Sequence, residues 1–377
     1  MINPYNFVRS DKHMPRSEPV GHDRLRGRSG IISCRLRVVT PIFTPAFALR
    51  SQGAAADLRF FRIDNHPALP GSSLKGMLRS LVEAMCNGCS PFDNRIQPPC
   101  KSPDSLCPAC RVFGYLKGRH VHAGHVGISD ALAEAGYEFS DRVTMKELSS
   151  PKPQRHTPFY EAAAKERGRK FYYHQEHVRD ISAVPTETRP THRNVRIEPL
   201  VRGAFNFTLR YWNVEELDLG LLLYALDLPP EKYHKFGMAK PLGLGTVRID
   251  IVGWQENQVD PADPASRYRD FDGPALQVSL KGLKGDALAA AQQRMRERFT
   301  ALKQAYARQY SRILGHADVD DLWEIEAKNI QDLRVMLSAV NYSKEIHYPG
   351  YDWFRKHGDE QLPTVDEVES GERLPND

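Results

Sequence analysis

The chain has 377 residues, 41% of them hydrophobic, enough for one large domain with insertions or for two domains. Lys and Arg number 52 against 47 Asp and Glu, a formal charge of +5 that suits a nucleic-acid partner but also many soluble enzymes. No run of about 18 apolar residues occurs, so no membrane-spanning helix is expected. The polar start MINPYNFVRSDKHMPRSEP has no apolar stretch of the secretory kind, which points to a cytoplasmic protein.

Residues 1–30 read as a polar arm rich in Arg, Asp and His. Sufficient alternation over IISCRLRVVTP, from Ile31 to Pro41, predicts a strand with Cys34, Leu36 and Val38 on one face and Arg35 and Arg37 on the other. Residues 44–69 read as a loop. A helix then opens at Pro70-Gly71-Ser72-Ser73, with Leu74, Met77, Leu78, Leu81, Val82 and Met85 at the spacing of one buried face. Ser72 or Ser73 can cap it. Gly71 permits a tight turn, and unpaired first-turn amides beside Ser72, Ser73, Lys75 and Arg79 make a candidate phosphate cradle.

Five cysteines crowd the next stretch, Cys86-x-x-Cys89, Cys100 and Cys107-x-x-Cys110. The outer pairs have the spacing of a tetrahedral zinc ribbon, so residues 86–110 read as a loop with a structural, closed Zn²⁺ site. Four ligands suffice. Cys100 can stand in for Cys86 or Cys89, and His120 or His122 can compete. Disulfides fit poorly in the reducing compartment expected here.

Short strands are predicted over 111–146, including 122–128. Residues 147–200 form a long, polar, basic insertion. Within it Arg167, Arg169, Lys170, Phe171, Tyr172, Tyr173 and His174 interleave cations with aromatics, followed by Arg179, Arg189, Arg193 and Arg196, a pattern suited to stacking bases and tracking phosphates. Alternation returns from Ala204 to Trp212, with Phe205, Phe207 and Leu209 together. A helix follows over 214–226. The run Lys235-Phe236-Gly237-Met238-Ala239-Lys240-Pro241-Leu242-Gly243-Leu244-Gly245 is a glycine-rich loop in which Lys235, Lys240, Gly243 and Gly245 allow close approach to a sugar-phosphate chain. It lacks the spacing of a nucleotide-binding P-loop. A strand is predicted over 246–252, helices over 286–312 and 319–340, and a polar tail beyond. Strand, helix, insertions, strand, helix, strand is the order of a split β-α-β core, within an α+β fold.

At PALPGSSLKGMLRSLVEAM, LCPACRVFG and KFGMAKPLGLGTVRI, over about residues 31–252, the sequence resembles the RAMP superfamily of CRISPR-associated proteins. It is most similar there to backbone subunits of type III effector complexes, III-D-like ones in particular, and GRKFYYH is similar to one branch. The resemblance implies a ferredoxin-like (RRM-like) palm holding CRISPR guide RNA. It also implies a thumb-like insertion, placed at 147–200, that wedges into the guide–target duplex, and a C-terminal extension over 253–377. Further copies of the chain, other CRISPR-associated subunits and complementary target RNA are the implied partners. Base pairing would then supply specificity.

Some relatives cut the target RNA through an aspartate before the first helix, with a divalent ion such as Mg²⁺ assisting. Asp57, with Arg62 and Asp64 beyond it, fits that layout. An alternative reading is an endoribonuclease that processes the guide precursor. Against it stand the cysteine cluster and the long extension past the glycine-rich loop.

Overall fold

The computed structural model describes residues 2–10, 16–23, 26–46, 56–90, 97–148, 168–188, 193–257, 276–280, 282–339, 346, 348, 353, 356–357 and 360–371. The N-terminal segment is more than a draped arm. Tyr5–Arg9 form strand β1, paired antiparallel with a strand of the basic insertion, and Arg9 locks it down. The Arg9 guanidinium holds the fully buried Asp332 at 2.6 Å and Asp366 at 2.8 Å. A buried pair of this kind is costly to break from one side.

Alternation builds the central sheet. In β2 (Arg28–Val38) Ile32, Cys34 and Leu36 are buried, and Arg35 and Arg37 take the opposite face. The strand starts three residues before the predicted one. The predicted loop over 44–69 contains short strands, among them β3 (Ala56–Asp57) and β4 (His66–Leu69).

Helix α1 (Gly71–Met85) forms where the apolar spacing placed it, burying Leu74, Leu78, Leu81, Val82 and Met85. Each such side chain contributes roughly 1.5–3 kcal/mol. Neither serine caps it, contrary to expectation. The Gly71 amide instead donates to Asp130 Oδ1 at 2.7 Å. At the other end Asn329 donates to the carbonyls of Ala84 and Met85, which the helix itself leaves unpaired.

The irregular stretch after α1 closes with a short helix, α2 (Pro108–Phe113), whose proline suits a first turn. Then come β5 (Val126–Ile128), β6 (Ala131–Ala133), β7 (Gly168–Tyr172) and β8 (Ala204–Val214). Helix α3 (Glu216–Leu226) is apolar nearly all round and accordingly buried. β9 (His234–Lys235), β10 (Thr246–Asn257) and β11 (Leu276–Ser279) follow. β10 runs five residues past the predicted end.

The sheet order is β9-β10-β2-β8-β6-β4, with the short strand Arg62–Ile63 beyond β4, β5 also on β8 and β11 on β10. Ala204 lies opposite Arg37 on one side of β2, and Val247 opposite Val38 on the other. The chain is thus mixed α/β with an antiparallel main sheet. Its inner face packs on the helices, and its outer face is polar.

Beyond the sheet lie α4 (Gly285–Leu314), α5 (Lys328–Met336) and α6 (Val365–Ser370). The helix expected over 319–340 is shorter, because Asp321 caps a separate 3-10 turn at Leu322–Glu324. α6 lies in the supposedly polar tail and carries a full capping box from Thr364 and Glu367.

The thumb-like insertion expected over 147–200 falls partly on residues 149–167 and 189–192, outside the described residues, as do Arg167 and Arg189. Its described parts combine short strands with two 3-10 turns, Glu176–Arg179 and Ile181–Ala183. β7 pairs with β1, and Val195–Ile197 pairs with Val143–Met145 and β3. Among the described residues no helix is long and apolar enough to cross a membrane.

Candidate nucleic-acid groove and cysteine centre

Helix α1 carries two sites. At its C-terminal end, Cys89, Cys100, Cys107 and Cys110 place their sulfurs within 4.8 Å of one another, all buried. Cys89 and Cys110 are 3.5 Å apart. A tetrahedral zinc with bonds of about 2.3 Å needs sulfurs about 3.8 Å apart, so the set fits such an ion with no ligand missing. This corrects the outer-pair reading. Cys100, not Cys86, completes the four, since Cys86 belongs to the end of α1. Burial pushes the Cys86 thiol well up, with Cys107 adding to it. Hydrogen bonds with Cys100 and Cys110 hold Cys107 below its ordinary value. His120 and His122 are not in the set.

Arg169 fastens this centre. Its guanidinium donates to the carbonyls of Gly88 (3.0 Å) and Cys89 (2.6 Å) and to Glu83 Oε2 (2.6 Å). Glu83, on α1, also takes Arg79 at 2.9 Å. Arg79 and Arg169, both expected on RNA, therefore brace the cysteine loop. Lys75 donates to the Val126 carbonyl at 2.7 Å and holds α1 to β5.

The other site is a groove of about 500 Å³. Ser73, Gly76, Met77 and Ser80 of α1 form one wall. Lys170 and Tyr172 of β7 form another, and residues 234–240 form the third. Ser72 and Ser73 are exposed, and no atom lies within 4 Å of a Cβ built on Gly76, so this helix face is open.

The lysines sit in a half-dry setting. Lys170 lies 3.6 Å over the Tyr5 ring, and burial pushes it down to about 8. Lys235 donates to the Gly243 carbonyl and Thr246 Oγ1. Burial, with Lys240 nearby, pushes it down to about 7. Lys240 donates to the Gly237 carbonyl at 2.7 Å, and burial lowers it too.

Two buried histidines line the groove. His234 Nε2 meets the Ala225 carbonyl at 2.7 Å, which makes Nε2 the protonated nitrogen and leaves Nδ1 without a partner. His174 Nδ1 meets Thr246 Oγ1, and its Nε2 has no partner. Burial pushes His234 down to about 4 and His174 well down, so both are neutral at pH 7.

Gly243 and Gly245 lie beneath the loop rather than in the groove. Both have positive φ, near 94° and 91°, and a Cβ would meet Val178 on the first and the Phe236 carbonyl on the second. They fold the loop that presents Lys235 and Lys240. Gly71 likewise serves a close approach, since its Cβ would lie 2.3 Å from the Ile128 carbonyl.

Asp57 stands elsewhere, about half exposed on β3. It is held by Arg142 at 2.8 Å rather than by Arg62, which lies over Phe139. Among the described residues the cysteine set is the one group of three or more metal-ligating side chains, and Asp57 is outside it.

A profile of the RAMP superfamily matches residues 35–248, more than half of the chain. The chain belongs to the RAMP superfamily. RAMP proteins generally bind CRISPR RNA within effector complexes. The matched span takes in α1, the cysteine centre, β7 and the glycine-rich loop, and ends in β10. β1 and α4 to α6 lie outside it. No curated protein matches the chain.

Sequence reasoning missed Met77, Ser80, Met238 and Met336 in the groove of this RAMP protein, and Tyr5 beneath Lys170. Spacing assigns Met77 to α1's buried stripe, but it lines the groove, and Ser80 lies beside that stripe. Tyr5 gave no signal, because its role depends on a strand pairing across more than 160 residues.

Proposed function

We propose that this chain is a guide-RNA-binding backbone subunit of an RNA-targeting CRISPR effector complex of the type III kind, III-D-like, built on a ferredoxin-like palm. One observation carries the reading. Three segments far apart in sequence line a single groove with three lysines and two buried ring nitrogens that lack partners. A buried polar atom without a partner costs about 1–3 kcal/mol, which a polar ligand edge can recover. A phosphate would likewise stabilise Lys170, Lys235 and Lys240 in their charged forms. Such a groove suits a polynucleotide better than a neutral metabolite.

Strand order supports the palm. Numbered along the chain, β2, β5, β8 and β10 lie in the order fourth, first, third, second, and α1 and α3 pack on each other. The cysteine centre is proposed to hold zinc in a purely structural role, because four thiolates leave no open position.

Purification from cells expressing a CRISPR array, followed by sequencing of bound RNA, tests the reading. Regularly protected guides are expected, and an RNA-free protein would overturn it. Lys170→Ala and Lys240→Ala should each weaken binding and lower the salt slope by about 0.7. Ser73 and Tyr172 are expected to contribute contacts, with Gly243 and Gly245 acting through the shape of the loop. Target cutting at Asp57 with Mg²⁺ is a separate step of the proposal. Wild type should cut a paired target and Asp57→Ala should not. Equal cutting by both removes Asp57 from the mechanism.

A further inference from the structure

We propose that a second polyanion cleft, on the outer face of the central sheet, continues the groove, and that RNA lying in the groove runs on into it. The inference rests on the groove being the RNA site.

The cleft measures about 550 Å³. Arg35 and Arg37 of β2, Arg202, Arg248 of β10 and Arg179 line it, with Tyr233 at one side. Period-2 alternation aims the β2 and β10 arginines outward, away from the helices. Arg37 and Arg248 lie directly opposite each other across β2 and β10. Like charges in that register destabilise a sheet, and here Arg248 also donates to the carbonyls of Pro229 and Pro230. Among the described residues Asp250 alone pairs with both, at 2.6 Å from Arg37 and 3.4 Å from Arg248.

The remaining acids are weak competitors. Arg202 is 75% exposed against Glu138, and Arg179 is 57% exposed against Glu176. Exposed bridges of this kind contribute about 0–1 kcal/mol. A phosphate offers the guanidiniums the same two-pronged geometry with more negative charge. Glu134, paired with Arg35 at 2.6 Å, is the one acid among the described residues that line the cleft.

Continuity identifies the occupant. Tyr233 lines the cleft and the next residue, His234, lines the groove. Likewise His174 lines the groove and Arg179, five residues on, lines the cleft. The two concavities thus lie on either side of one chain segment, at Tyr233 and His234. A strand leaving the groove over Tyr233 meets arginines next, and Tyr233 adds an aromatic ring of the kind on which bases stack.

The test uses the full chain and two fluorescent oligouridylates, of roughly 4 and roughly 16 nucleotides, the span of site sizes on single-strand-binding OB folds. Salt dependence of binding is measured for wild type and for Arg35→Gln/Arg37→Gln/Arg202→Gln. The triple variant should lower the slope for the long oligomer by about 2 and leave the short one unchanged. Glu134→Gln should tighten the long oligomer alone, and this arm decides if the triple variant melts early. An unchanged slope on the long oligomer, or equal loss on both, would overturn the cleft. So would polyglutamate that binds the arginines and is not displaced by saturating long oligomer, which would assign those arginines to an acidic protein. Wild type binding neither oligomer would overturn the groove itself, a result distinct from the others.

Discussion

The cysteine centre and the groove both hang on α1, yet one is closed and the other open. In the centre every strong group has a partner within the chain. Four sulfurs converge, Arg169 covers two carbonyls, and Glu83 answers two guanidiniums. In the groove lysines are half-dried, two ring nitrogens have no partner, and a glycine leaves the helix face bare. A site that satisfies itself serves the fold, whereas one that leaves polar atoms unmet is arranged for something outside. The contrast also sorts the cations: Lys75, Arg79 and Arg169 hold the structure, while Lys170 and Lys240 face the groove.

The sharpest way to break the contrast is to open the closed site. Cys107→Ser removes a ligand and should cost more than about 4 kcal/mol, the range of lost metal sites. Elemental analysis should show the ion gone, and a chelator should reproduce the early melting. Cys86→Ser should keep the ion and cost about 1–2 kcal/mol, as a buried hydroxyl in a thiol's place. Metal lost equally from both variants would put Cys86 back among the ligands.

Glu83 is the next largest lever. It is 6% exposed and binds Arg79 and Arg169 together. Glu83→Ala leaves two guanidiniums without their acid, so a loss of about 3 kcal/mol is expected from the denaturation midpoint. RNA affinity measured well below that midpoint should change little. A large affinity loss with unchanged stability would show that this side of α1 belongs to the groove after all.

A titration separates the sites in another way. Lys235 titrates near 7 in the folded chain against about 10.4 when unfolded. Between those values the unfolded chain holds the proton and the folded chain does not. Stability should therefore rise with pH from about 7 to about 10. Lys235→Met should flatten that rise and gain stability at pH 6–7. RNA favours the charged ammonium, so affinity should fall as pH climbs above 7. A profile in Lys235→Met that matches wild type would place the proton elsewhere.

How much of this was legible in the sequence follows the range of the interactions. α1, β2 and β8 were readable because apolar periodicity is local, and Leu74 to Met85 or Phe205 to Leu209 carry it unaided. The cysteine loop was readable as a metal site, but spacing cannot tell Cys86 from Cys100. That choice depends on where the end of α1 points. Partners were the hardest part. Arg169 looked like an RNA cation until Glu83, 86 residues away, claimed it. β1 was hidden because its apolar signal is weak and its strand partner lies beyond residue 167. α6 was overlooked although Thr364 and Glu367 spell its cap, since a polar tail gave no reason to look.

The smallest expected effect concerns the loop that makes the groove. Ala239 has φ near 60°, a left-handed conformation that costs a residue with a Cβ about 1–2 kcal/mol. It sits between Lys235 and Lys240, where the chain reverses over Phe43 with Met238 donating to the Phe43 carbonyl. Glycine would remove that strain but would also loosen the unfolded chain by about 0.4–1 kcal/mol. Ala239→Gly should therefore raise stability by about 1 kcal/mol or less, read from the melting curve, with the cysteine centre untouched. The methyl is buried, so part of the gain is offset by lost packing. A net loss of stability would mean that this packing outweighs the strain. A gain accompanied by weaker RNA binding would mean that the stiffness of the loop is itself part of how Lys235 and Lys240 are held.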